Sequence, residues 1–345
     1  MIKKLGEAYY LPRLADFLDF IAKEGPREFY EGEIAYRIAQ DSQERGGNLT
    51  YDDFSNYSVI ERKPLRFSYR DYSIITNPPP NSGGPLIAFT MSLLNRYPLK
   101  STQWGSAYHL KLLAEAIEYT TVVRRTIFVQ NRYNEKVMDL MFDENLFNTI
   151  QTDLEKGLGK LGNTTHVSVA DEHDNFAAIT TSHGEGCGYY IPDTDIMLNN
   201  MLGEEDLCPE GFFRWPENKR ISSMMAPTLF QKDNRTMGAL GSGGSNRIRS
   251  AIVQTISNYI DFNMLPEESV NAPRIHWENN HLDVEPGYDL ELIDQLEFPF
   301  ESEKIYWTAK NMYFGGVHAV FKDKKGNLEP AGDQRRVGAT RKLLK

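Results

Sequence analysis

The spacing of apolar positions divides the chain into a helical first part and a strand-rich second part. From Tyr10 to Ala22, the residues Leu11, Leu14, Phe17, Leu18 and Ile21 recur at helical intervals, and Gly25-Pro26 ends the run, which predicts an amphipathic helix. Ile34 and Ile38 predict a second helix that stops at Gly46-Gly47, and Thr50 with Asp53 three residues on forms a capping-box start for a short third. Leu65 to Tyr69 and Tyr72 to Thr76 alternate around Arg70-Asp71 as a hairpin. It leads into Asn77-Pro-Pro-Pro-Asn-Ser-Gly-Gly84, where three prolines hold the backbone extended and the two glycines permit a sharp turn into a helix from about Pro85 to Asn95. Helical spacing returns from Ser106 to about Phe128 and from Met138 to Lys156.

The pattern changes after Gly157. A glycine-rich lead, Gly157-Leu-Gly-Lys-Leu-Gly-Asn163, precedes Thr164-Thr-His-Val-Ser-Val169, which divides the chain into a mostly helical region 1–163 and a sheet-rich region 164–345. His166 to Ala170 and Phe176 to Ser182 alternate as strands around Asp174-Asn175, and Thr228 to Gln231 with Thr236 to Leu240 do so around Asp233-Asn234. A helix is predicted from Ile248 to Phe262, strands near Leu282 to Val284 and Val317 to Phe321, and a turn at Lys325-Gly-Asn327. No repeats or low-complexity tracts interrupt this order.

Composition narrows the class. With 345 residues, 40% hydrophobic and 25% charged, the chain has the usage of a soluble globular protein with a sizeable core. A net charge of −10 argues against nucleic acid and anionic membrane surfaces, both of which need clustered Lys and Arg, and favours a small-molecule partner. Two cysteines, Cys187 and Cys208, are too few for a disulfide framework and leave a single bridge open. The seven histidines have no metal spacing, and Asp193 with Asp195 read as turn residues, so neither metal nor cofactor is expected. The N-terminus as written lacks the apolar run of a signal peptide, so this chain is expected in the cytoplasm, with export of a longer form left open.

Three segments carry candidate chemistry. Gly241-Ser-Gly-Gly-Ser-Asn-Arg247 joins a strand to a helix, so its N–H groups can converge on an anion, although the motif alone favours a tight turn and fits neither the dinucleotide nor the P-loop pattern. Ser222-Ser223 follow the basic loop Trp215-Pro-Glu-Asn-Lys-Arg220 without a Gly-x-Ser-x-Gly elbow, which leaves them as ordinary loop hydroxyls. Thr164 combines a flexible lead, a small polar neighbour in Asn163 and a place at the mouth of a strand. Were the Asn163–Thr164 bond cut, Thr164 would present its hydroxyl beside its own freed α-amino group, whose pKa of about 8 suits a base near neutral pH.

At these points the chain resembles the gamma-glutamyltransferase family of N-terminal-nucleophile hydrolases. The ordered landmarks are Gly25-Pro26-x-x-Phe29-Tyr30-x-Gly32, Pro78-Pro-Pro-Asn-Ser-Gly-Gly84, Thr164-Thr-His166-x-Ser168-Val169, Leu198-Asn-Asn200, Ser222-Ser223-Met224, Gly241-Ser-Gly-Gly-Ser245 with Arg247, and Ala272-Pro-Arg274. The resemblance implies an alpha-beta-beta-alpha sandwich preceded by a helical region, self-cleavage between Asn163 and Thr164 into a large and a small subunit, and a Thr164 acyl-enzyme formed from gamma-glutamyl amides such as glutathione, with water or an amine as acceptor. It implies oxyanion-hole amides at Gly244 and Ser245, an α-carboxylate site at Ser222 and Ser223, a hydroxyl at Ser182 supporting the nucleophile, and Glu204 or Glu205 on the α-ammonium. Gly184 and Met201 stand where better-known members carry Asn and Gln, which keeps open a related acylase with another acyl donor, such as glutaryl. The family normally has a further N-terminal segment that supplies sheet strands and a carboxylate-binding Arg. This chain is therefore expected to pair with a chain carrying that part, or to be a catalytically silent remnant.

Overall fold

Helical spacing in the first sixty residues becomes four helices: α1 (Pro12–Glu24), α2 (Arg27–Glu31), α3 (Glu33–Glu44) and α4 (Tyr51–Ser55). The computed structural model describes residues 7–8, 10–143, 164–208, 210–299, 301–323 and 325–343, which fall into two compact units. Pro12 opens α1 where a missing N–H costs nothing, and Gly25 closes it at φ 97°. The capping box at α4 is complete: Thr50 Oγ1 accepts from the Asp53 N–H, and the Asp53 carboxylate accepts from the Thr50 N–H at 2.8 Å. The pattern did not announce α2, because Gly25 closes one helix and Pro26 caps the next within three residues. These helices form one unit together with residues 186–200.

The second unit contains the predicted hairpin, β1 (Leu65–Tyr69) and β2 (Tyr72–Thr76), followed by α5 (Gly83–Asn95) and α6 (Ala107–Val123). The helix expected to reach Phe128 changes form at Arg124: Arg124–Phe128 make a π-helical turn before α7 (Val129–Asn131) and α8 (Val137–Met141). The rest of the helix predicted to Lys156, the glycine-rich lead and Asn163 lie outside the described residues. Then come β3 (Thr164–Ala170) and β4 (Phe176–Ser182); the short pair β5 (Tyr190–Ile191) and β6 (Ile196–Met197) belongs to the first unit. The second unit resumes with β7 (Thr228–Lys232), β8 (Arg235–Gly243), α9 (Arg247–Ile260), α10 (Pro266–Asn271), β9 (Ile275–Glu278), β10 (His281–Val284), α11 (Leu290–Asp294), β11 (Glu303–Tyr306), β12 (Gly316–Lys322) and β13 (Leu328–Gly332). Cys187 and Cys208 are both free thiols.

An antiparallel sheet in the order β1-β2-β7-β8-β12-β13 forms the middle of the second unit. One face carries the apolar core, in which Ile74, Leu240, Val317 and Phe321 pack with Leu86 and Phe89 of α5, Ile117 of α6, and Ile252 and Ile256 of α9. Strand alternation turns Gly241 and Gly243 to the opposite face, where β3–β4 lies. A Cβ at Gly241 would fall 2.2 Å from the His166 ring, and one at Gly243 would fall 2.1 Å from the Thr164 carbonyl. Only glycine lets the hairpin rest this closely on the sheet. The described residues thus stack helices, sheet and hairpin, a mixed helix and sheet fold that brings the N-terminal end of β3 against the C-terminal end of β8.

Candidate active site

Thr164 is the first residue of β3, and its side chain is on the buried inner face with His166, while Thr165 and Val167 face outward. Register pairs Thr164 with Ser182 across the hairpin, so the Thr164 hydroxyl donates to Ser182 Oγ at 3.1 Å. Ser182 Oγ also accepts the Gly184 N–H at 3.0 Å, which orients it. One step further along the inner face, His166 Nδ1 pairs with Thr180 Oγ1 at 2.7 Å and Nε2 with Ser168 Oγ at 2.8 Å. Burial, reinforced by the neighbouring His318, pushes His166 down to about 3, so this ring is neutral at physiological pH and serves as a bridge between strands.

Beside Thr164 the chain turns from β8 into α9. Gly244 has φ 126°, open to glycine alone, and a Cβ there would fall 2.8 Å from Gly315 Cα. The carbonyls of Gly244 and Ser245 accept the first bonds of α9, from the N–H groups of Arg247 at 3.0 Å and Ile248 at 3.1 Å. Their own N–H groups therefore sit at the positive end of a 14-residue helix. Asn246 anchors the turn by donating to Glu278 Oε1 at 2.5 Å and accepting from Arg124 Nη1 at 2.7 Å. Burial acts to raise the Glu278 carboxyl, but the His276 hydrogen bond and the charges of His276 and Arg247 together hold it well below the usual carboxylate range. Arg247 in turn stacks 4.0 Å from the Tyr313 ring centre.

Ser222 and Ser223 are buried under the proline-rich loop. The Ser223 carbonyl accepts from Ser82 N–H at 3.0 Å, Gly83 N–H at 3.3 Å and Ser82 Oγ at 2.9 Å, and Asn81 Nδ2 donates to Ser223 Oγ at 2.8 Å. The glycines are required because a Cβ at Gly83 would fall 2.3 Å from the Met224 carbonyl. Ser222 lines a narrow cavity with Ser82, Arg124, Phe128, Arg132 and Trp215. Both arginines come from the π-helical turn and the residues after it, a distortion common at functional sites. Arg132 pairs with Glu210 at 2.9 Å and stacks over Trp215 at 4.9 Å, whereas Arg124 ties the cavity to Asn246 and so to the glycine turn. Glu205 begins the 3-10 turn Glu205–Leu207 and Glu204 precedes it, and Leu207 is the residue of that turn in the cavity lining.

Thr164, Ser182 and the Gly243–Ser245 turn are thus brought together directly, while Ser222 shares its cavity with Arg124, whose hydrogen bond to Asn246 reaches that turn. Pattern reading did not single out Arg124 or Glu278. The pattern carried no signal for them, because each meets Asn246 only through a contact distant in sequence.

The gamma-glutamyltranspeptidase family model matches residues 1–343. Glutathione hydrolase proenzyme of Escherichia coli (strain K12) is 32% identical over a 362-residue alignment that covers 97% of this chain and 62% of that protein. Acylase ACY 1 proenzyme of Pseudomonas sp. (strain V22) is 32% identical over 333 residues, covering 93% of this chain and 59% of that protein. The crystal structure of cephalosporin acylase from Bacillus halodurans superposes with a TM-score of 0.79 at 23% identity, over 96% of this chain and 62% of that one, which shows a common fold. The chain spans about three-fifths of the length of these relatives. With a family match along nearly its full length and the fold to accompany it, this chain belongs to the gamma-glutamyltranspeptidase family.

Proposed function

We propose that this chain is the self-processing catalytic part of a gamma-glutamyl transferase or hydrolase, with Thr164 as nucleophile. The observation that carries the reading is the Thr164 hydroxyl, buried at the mouth of β3, 3.1 Å from Ser182 Oγ, with its own carbonyl packed on Gly243. In the precursor, Thr164 Oγ attacks the Asn163 carbonyl, the peptide C–N bond breaks to an ester, and water hydrolyses the ester to leave a free α-amino group on Thr164. In turnover that amine takes the hydroxyl proton as Oγ attacks the gamma-glutamyl carbonyl. The amide C–N bond then breaks, the leaving amine takes the proton, and water or an acceptor amine removes the acyl group. The N–H groups of Gly244 and Ser245 face the developing oxyanion from the positive end of α9, an arrangement that contributes about 3 to 4 kcal/mol per donor. Ser222 and Ser223 bind the α-carboxylate, Arg124 and Arg132 line the cavity beside Ser222, and Glu204 or Glu205 holds the α-ammonium. His166 is neutral and already bonded on both nitrogens, which leaves the α-amine as the base.

A related acylase is the second reading. Gly184 and Met201 bring no side-chain amide to the site, and the acylase relative is 32% identical over 93% of this chain, against 32% over 97% for the glutathione hydrolase. For partners, the outward face of β3–β4 exposes Val167, Val169 and Ile179, which supports a covering segment from a large-subunit chain. The test is to incubate the chain with a gamma-glutamyl anilide and, separately, a glutaryl anilide. Release from the first alone supports the transferase reading, release from the second alone supports the acylase, and release from neither, with or without a covering chain, sinks both.

A further inference from the structure

The turn after β13 is held with more contacts than a surface turn needs. Asp333 is fully buried, accepts the N–H groups of Val317 and Arg335 at 2.9 Å each, and pairs with Arg274 at 2.8 Å and Arg335 at 3.1 Å. Arg335 also grips the buried Glu285. The Asp333 carbonyl accepts the Gly338 N–H at 2.8 Å, closing a loop around Gln334–Arg336. Within it Val337 adopts φ 50°, a left-handed conformation that a β-branched residue takes only where the surroundings impose it. Its side chain is 90% exposed, so packing of Val337 itself is not the compensation.

What the turn does is direct Arg336 inward. Its stem covers Gly316, where a Cβ would fall 2.6 Å from the Arg336 Cγ and Cδ. Nη1 lies 3.5 Å from the Thr164 carbonyl oxygen and Nη2 lies 3.5 Å from that of Met312. The same two nitrogens come within 3.4 Å of a Cβ position at Gly243 and 3.5 Å of one at Gly244. A single planar cation therefore touches the nucleophile's backbone and lies along the glycine turn. Burial lowers the Arg336 pKa from its ordinary value, yet a guanidinium keeps its proton in proteins.

We propose that Arg336 is a positioning residue, a guanidinium clamp that fixes the Thr164 carbonyl and the Gly243–Gly244 turn in one arrangement, so that hydroxyl and oxyanion amides keep their mutual register. It rests on the reading of Thr164 as nucleophile. Arg is suited to it because its rigid fork reaches two carbonyls at once, whereas Lys reaches one. Arg336→Gln and Arg336→Lys are compared with the parent chain by three readouts: self-cleavage rate from intact mass, kcat and KM on whichever anilide the parent hydrolyses, and thermal midpoint. The expected result is a fall in kcat of about 10²-fold for Gln with KM changed less than about threefold, a parallel slowing of self-cleavage, and recovery of about tenfold by Lys. Unchanged kcat in both variants, or a loss that only tracks a lower folded fraction, overturns the clamp while leaving Thr164 in place. A parent chain that neither cuts itself nor releases either anilide removes the Thr164 reading, and the clamp falls with it.

Discussion

Hairpins β3–β4 and β7–β8 both reverse on an Asp-Asn pair, with Asp174, Asp233 and Asn234 in the left-handed region, yet they bury opposite chemistries. The second sits in mid-sheet between β2 and β12, and its Phe230, Ala239 and Leu240 are lost from water. The first lies on the sheet instead of in it. Its inner face is polar toward the Thr164 end, with Thr164 against Ser182 and His166 against Thr180, and turns apolar at Ala170, Phe176 and Ala178 near the reversal, while Val167, Val169 and Ile179 on the outer face are 51%, 57% and 60% exposed. An ordinary half-buried sheet turns its apolar face inward. Here the inward positions nearest Thr164 are occupied by hydroxyls and an imidazole that bond one another, so their burial carries little penalty, and that end of the hairpin is held by hydrogen bonds and glycine contacts where β7–β8 is held by rings. The arrangement leaves apolar side chains on the outer face and buries the hydroxyl of Thr164, the proposed nucleophile, against Ser182.

Substitutions can break that contrast. The largest effect is expected for Thr164→Ala, which removes the proposed nucleophile: the chain should stay uncut by intact mass, and turnover should fall by about 10³-fold or more. Next come two glycines of β8. Gly241→Ala pushes a methyl into the His166 ring, and Gly238→Ala pushes one against the rings of Phe230 and Phe321. Each should lower stability by about 1 to 3 kcal/mol in urea titrations, but only the Gly241 change should slow self-cleavage at equal folded fraction. If both slow it alike, the two hairpins are not functionally separate.

The third prediction is a pH dependence. His166 is pushed down to about 3 in the folded chain and titrates near 6.5 when unfolded, so below 6.5 the unfolded chain binds the extra proton and stability falls as pH falls. The slope is about 1.4 kcal/mol per pH unit between 6.5 and 3, and it vanishes above 6.5. His166→Gln should remove this share of the loss between pH 7 and pH 5, while buried His109, pushed down to about 4, keeps its own share in both proteins. The smallest effect is expected for Val169→Thr, within about 0.5 kcal/mol, because its side chain already faces water.

Much of this frame was legible in the sequence because it is locally encoded. Alternation and turn residues located β1–β2, β4 and β7 nearly to the residue, and Thr50 with Asp53 announced the cap of α4. The π-helical turn at Arg124 was hidden because its residues keep a helical apolar spacing and only their packing widens the turn. The four-residue strands β9 and β11 were missed for a related reason, since strand status there depends on pairing with β10. For the site, Thr164, the glycine turn and the serine pair could be picked out as segments. Arg124 meets Asn246 across 122 positions, and Arg336 meets Thr164 across 172, and no spacing rule connects residues that far apart.

The proposed role of Thr164 is to cut the chain before it and then to carry an acyl group. Its most direct test is the intact mass of the purified chain after incubation at neutral pH with a gamma-glutamyl anilide in the same sample. Two fragments that meet between Asn163 and Thr164, with anilide released, are the predicted result. A chain that remains whole, or that is cut equally well as Thr164→Ala, would contradict the account.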